Sequence, residues 1–152
     1  NGDNGKDPGT GTGNRIEIYS ADLRYSLWRF TFRGALAYER IDGAQDIGGG
    51  APSEIFGFFT EFSVRVLPDA WKQGLFSKSE VVVFCRYDDT NTQYRTPPGV
   101  ARDPAGNRHE YTFGVSAIIL PNLAFKIDYQ IREDKTTNNL PDLLNLGIGF
   151  QF

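Results

Sequence analysis

Apolar and polar residues alternate along most of this chain, in seven runs near residues 16–26, 30–41, 54–66, 79–88, 109–120, 123–132 and 143–152. A period of two residues is the pattern of a β-strand, whose successive side chains point to opposite faces. At about 10–13 residues each, the runs exceed the ~5–6 residues of a typical globular strand and fit the ~9–11 of a tilted membrane-crossing strand. The pattern predicts an all-β fold, a transmembrane antiparallel up-and-down β-barrel over residues 15–152 that follows a flexible extracellular loop over 1–14.

Aromatic residues on the apolar parity support a membrane location. Because neighbouring strands run in opposite directions, these positions gather at one end of the predicted sheet. A tyrosine ring suits a membrane–water interface, where the phenol stays hydrated and the ring stays in apolar surroundings. The predicted aromatic girdle consists of Tyr19, Tyr38, Phe56, Tyr87, Tyr111 and Tyr129.

The connections between the runs give the predicted barrel a direction. Long polar segments lie at the girdle end, at 1–15, 42–53, 89–108 and 133–142, whereas tight turns at 27–29 and 120–122 lie at the other end. One connection, 67–78, is longer than the other turns at its end. Outer-membrane barrels have long external loops and short periplasmic turns. The girdle end is therefore predicted to be extracellular and Phe152 periplasmic.

The overall composition agrees with strands rather than helices as the membrane-crossing elements. Mean hydropathy is −0.40, and no stretch approaches the ~18 apolar residues of a membrane-spanning helix. A membrane-crossing barrel can have such a low mean hydropathy, since only every second residue of its strands faces lipid. The net charge of −3, with acids and bases interspersed, predicts no nucleic-acid partner. The single cysteine excludes an internal disulfide, and no ligand spacing predicts a metal or cofactor.

Charged residues on the polar parity are the candidate pore lining: Arg24, Arg33, Glu61, Arg65, Arg86, Asp88, Lys126, Asp128 and Arg132. A belt of both signs across a water-filled lumen would screen permeants by charge and size. An equally weighted alternative is that these charges form ion pairs that only steady the wall.

Three segments, 58–65, 83–88 and 121–130, resemble the last strands of the phosphate-selective porin family. In that family an aromatic-Arg-Tyr-acid strand precedes a Pro-Asn turn and a strand ending Lys-x-Asp-Tyr, and the chain closes on Phe. The resemblance covers roughly residues 54–152, and more loosely 21–39. It implies the C-terminal part of a larger, usually trimeric porin that passes anions, with a homotrimer as a possible assembly. The family's arginine and lysine ladder is not matched position by position, so the resemblance does not imply phosphate specificity.

The last run ends on an aromatic residue and resembles the signal by which the barrel-assembly machinery recognises its clients. The residues that would carry this signal are Leu146, Ile148, Phe150 and Phe152. The simpler interpretation is that they only face lipid, and both roles can hold together. Counting seven crossings back from a periplasmic Phe152 places residue 1 outside the cell. We therefore expect one or more N-terminal strands to precede this chain.

These patterns predict an outer-membrane porin-like channel for passive diffusion of small polar or anionic solutes. Its expected partners are outer-membrane lipid, lipopolysaccharide and, during biogenesis, the assembly machinery. The main alternative is a structural outer-membrane barrel that sheathes or anchors a partner protein; a soluble barrel for an apolar ligand is a third. An enzyme is not expected, because the only histidine, His109, has no nucleophile motif beside it.

Overall fold

A computed structural model describes residues 15–136 and 140–151. Within these residues, seven strands form a single sheet in sequence order, each antiparallel to the next. The predicted all-β, antiparallel up-and-down arrangement is thereby confirmed. The predicted loop over 1–14 and the terminal Phe152 lie outside the described residues. The strands are β1 (Arg15–Leu27), β2 (Phe30–Asp42), β3 (Glu54–Arg65), β4 (Glu80–Arg95), β5 (Asn107–Leu120), β6 (Leu123–Asp134) and β7 (Leu140–Phe150).

Two segments predicted to be loops are partly strand. The prediction that all of 89–108 is a loop was wrong, because β4 continues to Arg95 and β5 already begins at Asn107. Asp89 pairs with His109, so the ladder continues through a segment in which apolar and polar residues do not alternate. Ladder hydrogen bonds join backbone groups, so polar side chains do not end them. The predicted loop 133–142 likewise shortens, because β6 extends to Asp134 and β7 starts at Leu140.

Short helical turns and tight turns connect the strands. A four-residue helix α1 (Ala44–Ile47) lies between β2 and β3, and 3-10 turns lie at Asp69–Trp71, Gly74–Phe76 and Pro104–Gly106. The β1–β2 hairpin turns through Trp28, which has a φ of 52°. None of the helices in the described ranges is long and apolar enough to cross a membrane.

Neither face of the sheet is covered by a second layer. Among the described residues, the buried apolar side chains are Ala44, Phe84 and Pro97, whereas large apolar side chains are exposed along every strand. The two edge strands, β1 and β7, are not paired with each other and run in the same direction, because six antiparallel steps separate them. The described sheet is therefore open.

The strands are staggered by about one residue per strand. The pair Leu27–Phe30, at the end of the first hairpin, lies in one cross-strand row with Val64, Val83, Val115 and Ile127. In the β5–β6 hairpin, this row lies five residues before Leu120 and four residues after Leu123. The sheet end thus moves by four to five residues over four strand spacings. With ~3.3 Å per residue and ~4.8 Å between strands, this stagger corresponds to a tilt of about 35–40°.

Candidate functional site

One face of the sheet, here called the apolar face, carries aliphatic and aromatic side chains from edge to edge. Its central row is Tyr25, Phe32, Phe62, Cys85, Phe113, Tyr129 and Leu144, paired in this order across β1 to β7. All seven side chains lie on one side because paired residues share a face. The opposite side, here called the polar face, carries the charged candidates.

The structure places all six predicted girdle residues on the apolar face, along an oblique line. Tyr19, Tyr38 and Phe56 are direct cross-strand partners on β1 to β3. Followed through the pairing of β4 and β5, the same cross-strand row arrives at Asn107, which is four residues from the girdle residue Tyr111. The aromatic line therefore drifts by about one residue per strand. This drift equals the stagger of the strand ends, so the rings follow the ends of the strands.

The phenols of Tyr19, Tyr87 and Tyr129 point towards the same end of the sheet. Tyr19 donates to Glu17 (3.2 Å) and Tyr87 donates to Asp89 (3.3 Å), and each carboxylate lies two residues nearer the loop end. Tyr129 donates to Asp142, which lies one rung beyond its partner Leu144. Tyr87 also shares a hydrogen bond with His109 Nδ1 (3.1 Å). Each phenol therefore has its ring beside apolar neighbours and its hydroxyl in a polar zone.

A row of alternating charges lies immediately beyond the aromatic row on the apolar face. Glu17, Arg40, Glu54 and Arg95 are successive cross-strand partners on β1 to β4, one rung past Tyr19–Tyr38–Phe56. Arg95 pairs with Glu54 (3.1 Å) and Arg40 with Asp42 (3.1 Å), while Arg15 pairs with Glu17 (2.6 Å). We call this group the charged row. It ends the apolar surface abruptly at the girdle.

The central part of the polar face holds an ion network. Arg33 and Glu61 face each other across β2 and β3, with 3.5 Å between their side chains. Arg86, the partner of Glu61 on β4, binds Asp88 through both carboxylate oxygens at 2.5–3.0 Å. Its guanidinium also lies 4.0 Å from the centroid of the Phe59 ring. Five of these side chains thus form a packed strip across three strands.

A second polar group surrounds a buried aromatic ring. Phe84 lies on the polar face, and Lys126 Nζ lies 4.9 Å from the centroid of its ring. Lys126 pairs with the buried Asp128 (3.2 Å), which also accepts a hydrogen bond from Asn145 (2.9 Å). Phe84 is opposite Gly114, and a Cβ at that glycine would lie 2.4 Å from the ring. The ring therefore covers the space that the glycine leaves.

Ion pairing covers most, but not all, of the candidate pore-lining residues. Arg132 pairs with Glu110 on β5 at 3.5 Å. Arg24 and Arg65 have no carboxylate partner among the described residues, and Arg65 donates to the backbone carbonyl of Trp28. Both line an open concavity of about 440 Å³ near the tight-turn end, together with Arg29, Arg33, Lys126 and Glu61. This end of the polar face has an excess of positive charge.

The polar face is less uniformly polar near the loop end. Ile18, Ala35, Ala37, Ile55 and Phe59 line a second open concavity of about 600 Å³. Ile18 is 67% exposed there. Ile18 and Ile55 are the cross-strand partners of Glu39, so aliphatic and charged side chains are mixed on this part of the polar face.

The long connection between β3 and β4 is held by ion pairs at the tight-turn end. Lys72 contacts Glu80 (2.6 Å) and Asp69 (3.3 Å), and Arg29 contacts Asp69 (3.0 Å). The hydrogen bond from Lys72 and the nearby Arg29 guanidinium lower the pKa of Asp69. The hydrogen bond with Glu80 raises the pKa of Lys72 above its ordinary value.

The residues predicted to form an assembly signal lie on the edge strand. Leu146, Ile148 and Phe150 occupy the apolar face of β7 and are exposed by 75%, 73% and 64%. Phe152, the fourth of them, lies outside the described residues. The three described side chains therefore extend the apolar face to the edge of the sheet.

Sequence reasoning missed two members of the aromatic line and one polar-face ring. Tyr94 lies 5.7 Å from Phe56, and Phe58 lies 5.8 Å from Tyr87, measured between ring centroids. Tyr94 was missed because it fell in a segment predicted to be a loop. The sequence showed only that Phe84 is an aromatic residue at a position expected to be polar. The structure explains it, because Gly114 across the strand pair leaves space for the ring. No group of three or more potential metal ligands occurs in the described ranges.

Comparison of the chain with models of known families, with curated proteins and with solved structures gave no match.

Proposed function

We propose that this chain forms part of the wall of an outer-membrane β-barrel through which small polar or anionic solutes diffuse passively. The observation that carries the proposal is the boundary on the apolar face. An apolar surface ends at a line of aromatic rings, three of whose phenols donate to carboxylates on the side away from it, and the charged row follows at once. A water-facing surface has no physical reason to sort its residues in this order, whereas a membrane interface does.

The dimensions of the apolar face agree with a bilayer. From Phe30 to Tyr38 the strand rises eight residues, about 27 Å along its axis. At a tilt of about 40°, this becomes roughly 20 Å along the membrane normal, before the width of the flanking rings is added. The lipid-facing band of outer-membrane barrels is about 25 Å tall and their strands tilt by about 35–45°. A soluble barrel would instead turn this face inward.

The charge distribution on the polar face supports anions over cations as permeants. Arg86, Lys126 and Arg132 are balanced by nearby carboxylates, so their net fields largely cancel. Arg24 and Arg65 have no such partner among the described residues and line the basic concavity. An uncompensated cation beside a water-filled path attracts anions and repels cations.

Single-channel conductance in planar lipid bilayers tests this proposal. We expect the reconstituted protein to conduct, and Arg24→Gln and Arg65→Gln, each made singly, to reduce the anion-to-cation permeability ratio. Arg40→Gln is the matched control, because it removes the same charge from the opposite face and should leave the ratio unchanged. Absence of any conductance would reject a pore, and equal effects of all three changes would reject the assignment of faces.

The aliphatic patch on the polar face favours a second function, a barrel that encloses part of a partner protein. Exposed Ile18 and half-buried Ile55 in the 600 Å³ concavity would be unfavourable neighbours for hydrated ions in transit. Under this alternative, a partner would co-purify in fixed stoichiometry and Ile18→Asp would release it. Under the pore proposal, the same change would alter conductance without changing the protein composition.

A further inference from the structure

The charged row contains three arginines that present their guanidinium groups to the surroundings of the apolar face. We propose that Arg15, Arg40 and Arg95 bind the phosphate groups of phosphorylated glycolipid in the outer leaflet. This inference rests on the proposed function, because it takes the apolar face to be in contact with lipid. It goes further by assigning a ligand chemistry to a surface outside the pore.

The exposure of two of the three ion pairs is strongly asymmetric. The side chains of Arg15 and Arg95 are 74% and 63% exposed, whereas their partners Glu17 and Glu54 are 23% and 14% exposed. Arg40 is 57% exposed and its partner Asp42 is 45% exposed. In the pairs of Arg15 and Arg95 the carboxylate thus lies closer to the sheet and the guanidinium extends outward, whereas both side chains of the Arg40–Asp42 pair are exposed. An approaching molecule meets the guanidinium groups first, although the three arginines and three carboxylates of the row give it no net charge.

The position of the row matches the level of lipid phosphates. Arg15 lies two rungs beyond Tyr19, whereas Arg40 lies one rung, or two residues, beyond Tyr38. Each rung adds about 7 Å along the strand, beyond the rings that mark the membrane interface. Phosphates of a glycolipid lie just outside the acyl layer, so they would be at the same height as the guanidinium groups.

Arginine suits this ligand better than lysine would. Its planar guanidinium donates two parallel hydrogen bonds to one phosphate, which a compact ammonium cannot do. The underlying carboxylates hold the side chains at the surface without burying them, since exposed ion pairs are weak and exchange readily. A phosphate can therefore take the outer donors while the carboxylate keeps an inner one. Arg15, Arg40 and Arg95 belong to β1, β2 and β4, so they offer a line of donors along the rim.

Binding of lipid A by the purified protein in detergent micelles tests the inference. The probes are lipid A with both phosphates and the same lipid after chemical dephosphorylation. We expect Arg15→Gln, Arg40→Gln and Arg95→Gln together to weaken binding of the phosphorylated lipid by about tenfold or more. Dephosphorylated lipid should bind the variant and the unaltered protein equally. Unchanged affinity of the triple variant for phosphorylated lipid would overturn the inference.

A matched control removes the same charge from the polar face. Arg24→Gln, Arg33→Gln and Arg65→Gln together should leave lipid A affinity unchanged. Inorganic phosphate at millimolar concentration should not compete; if it does, the site takes free phosphate and the lipid assignment is wrong. The single variant Arg40→Gln, measured over a salt series, keeps the test decisive should the triple variant misfold, since a salt dependence identical to that of the unaltered protein would also reject the inference.

The same samples separate this inference from the proposed function. A protein that conducts but binds lipid A independently of the three arginines refutes the lipid site alone. A protein that does not conduct but loses lipid A binding in the triple variant refutes the pore alone.

Discussion

Gly114 supports the sharpest prediction about the wall of the sheet, because its missing side chain is replaced by the ring of Phe84. A Cβ at position 114 would lie 2.4 Å and 2.6 Å from two carbons of that ring and 2.8 Å from Asp128 Cβ. Ordinary contact between carbon atoms begins at about 3.5 Å. Gly114→Ala therefore demands a movement of roughly 1 Å by a ring that is only 9% exposed.

The expected cost follows from the ways in which the ring can respond. It can stay and distort its surroundings, which costs about 1–3 kcal/mol for overpacking. It can also swing out and lose its burial, which is worth about 1.5–3 kcal/mol for a phenylalanine. Either loss is offset by about 0.5–1 kcal/mol, because alanine restricts the unfolded backbone more than glycine does. We expect Gly114→Ala to lower the free energy of unfolding by about 1–2 kcal/mol.

Urea unfolding from detergent micelles, followed by tryptophan fluorescence, measures this cost. Gly147→Ala is the matched control, since Gly147 also lies on the polar face but its nearest neighbour, Lys126 Cβ, is 3.7 Å away. The control should be neutral or stabilising, by up to about 1 kcal/mol. The two substitutions add the same methyl group to neighbouring parts of one sheet. Their opposite signs would isolate the contact with Phe84.

A double-mutant cycle decides whether the ring is the cause. In a Phe84→Ala background, Gly114→Ala should lose most of its penalty, giving a coupling energy of about 1 kcal/mol or more. Two results would refute the reasoning: Gly114→Ala as stable as Gly147→Ala, or a penalty that persists when the ring is absent.

Three further predictions concern the ends and the faces of the sheet. The hydrogen bond from Lys72 lowers the pKa of Asp69, so its contribution to stability should be present above about pH 4, the pKa of an unfolded aspartate, and lost as pH falls through the folded value. Unfolding of Asp69→Asn over a pH series should therefore differ from that of the unaltered protein at pH 7 and converge with it in acid; a constant difference would contradict this. Leu146→Lys should cost about 2–4 kcal/mol in a bilayer while Gly149→Lys, on the polar face, costs far less; equal refolding midpoints in vesicles would argue against a lipid-facing surface. Cys85, the sole cysteine and on the apolar face, should resist water-soluble thiol reagents in vesicles and react once unfolded, as mass spectrometry would show; rapid labelling of the folded protein would place that face in water.

The strands were predictable because a half-exposed strand requires a period of two whatever solvent meets each face. Phe62 and Phe113 have polar neighbours on both sides, and their alternation fixes which side of the sheet they occupy. The hairpins followed from short turns such as Pro121–Asn122. The order of the sheet followed in turn, because short connections place consecutive strands side by side.

The extended strand ends, the position of Phe84 and the oblique path of the girdle depend on interactions between strands. The residue pattern of one strand contains no information about such interactions. Asp89 and Asn91 extend β4 through backbone pairing, so their side chains give no periodic signal. Phe84 looked misplaced in its own strand, and only Gly114 across the pair accounts for it. The oblique path of the girdle depends on stagger, which is a property of two strands at once and cannot be read from one.

Because β1 and β7 run in the same direction, the number of strands in any closed barrel that contains this sheet is restricted. Joining these edges to each other would create a parallel seam, offset by about six residues if the stagger continues at one residue per strand. A seam that keeps the antiparallel ladder intact requires an odd number of additional strands between the two edges, from whichever chain they come. A closed ring that contains this sheet once therefore has an even strand count, and eight is the smallest.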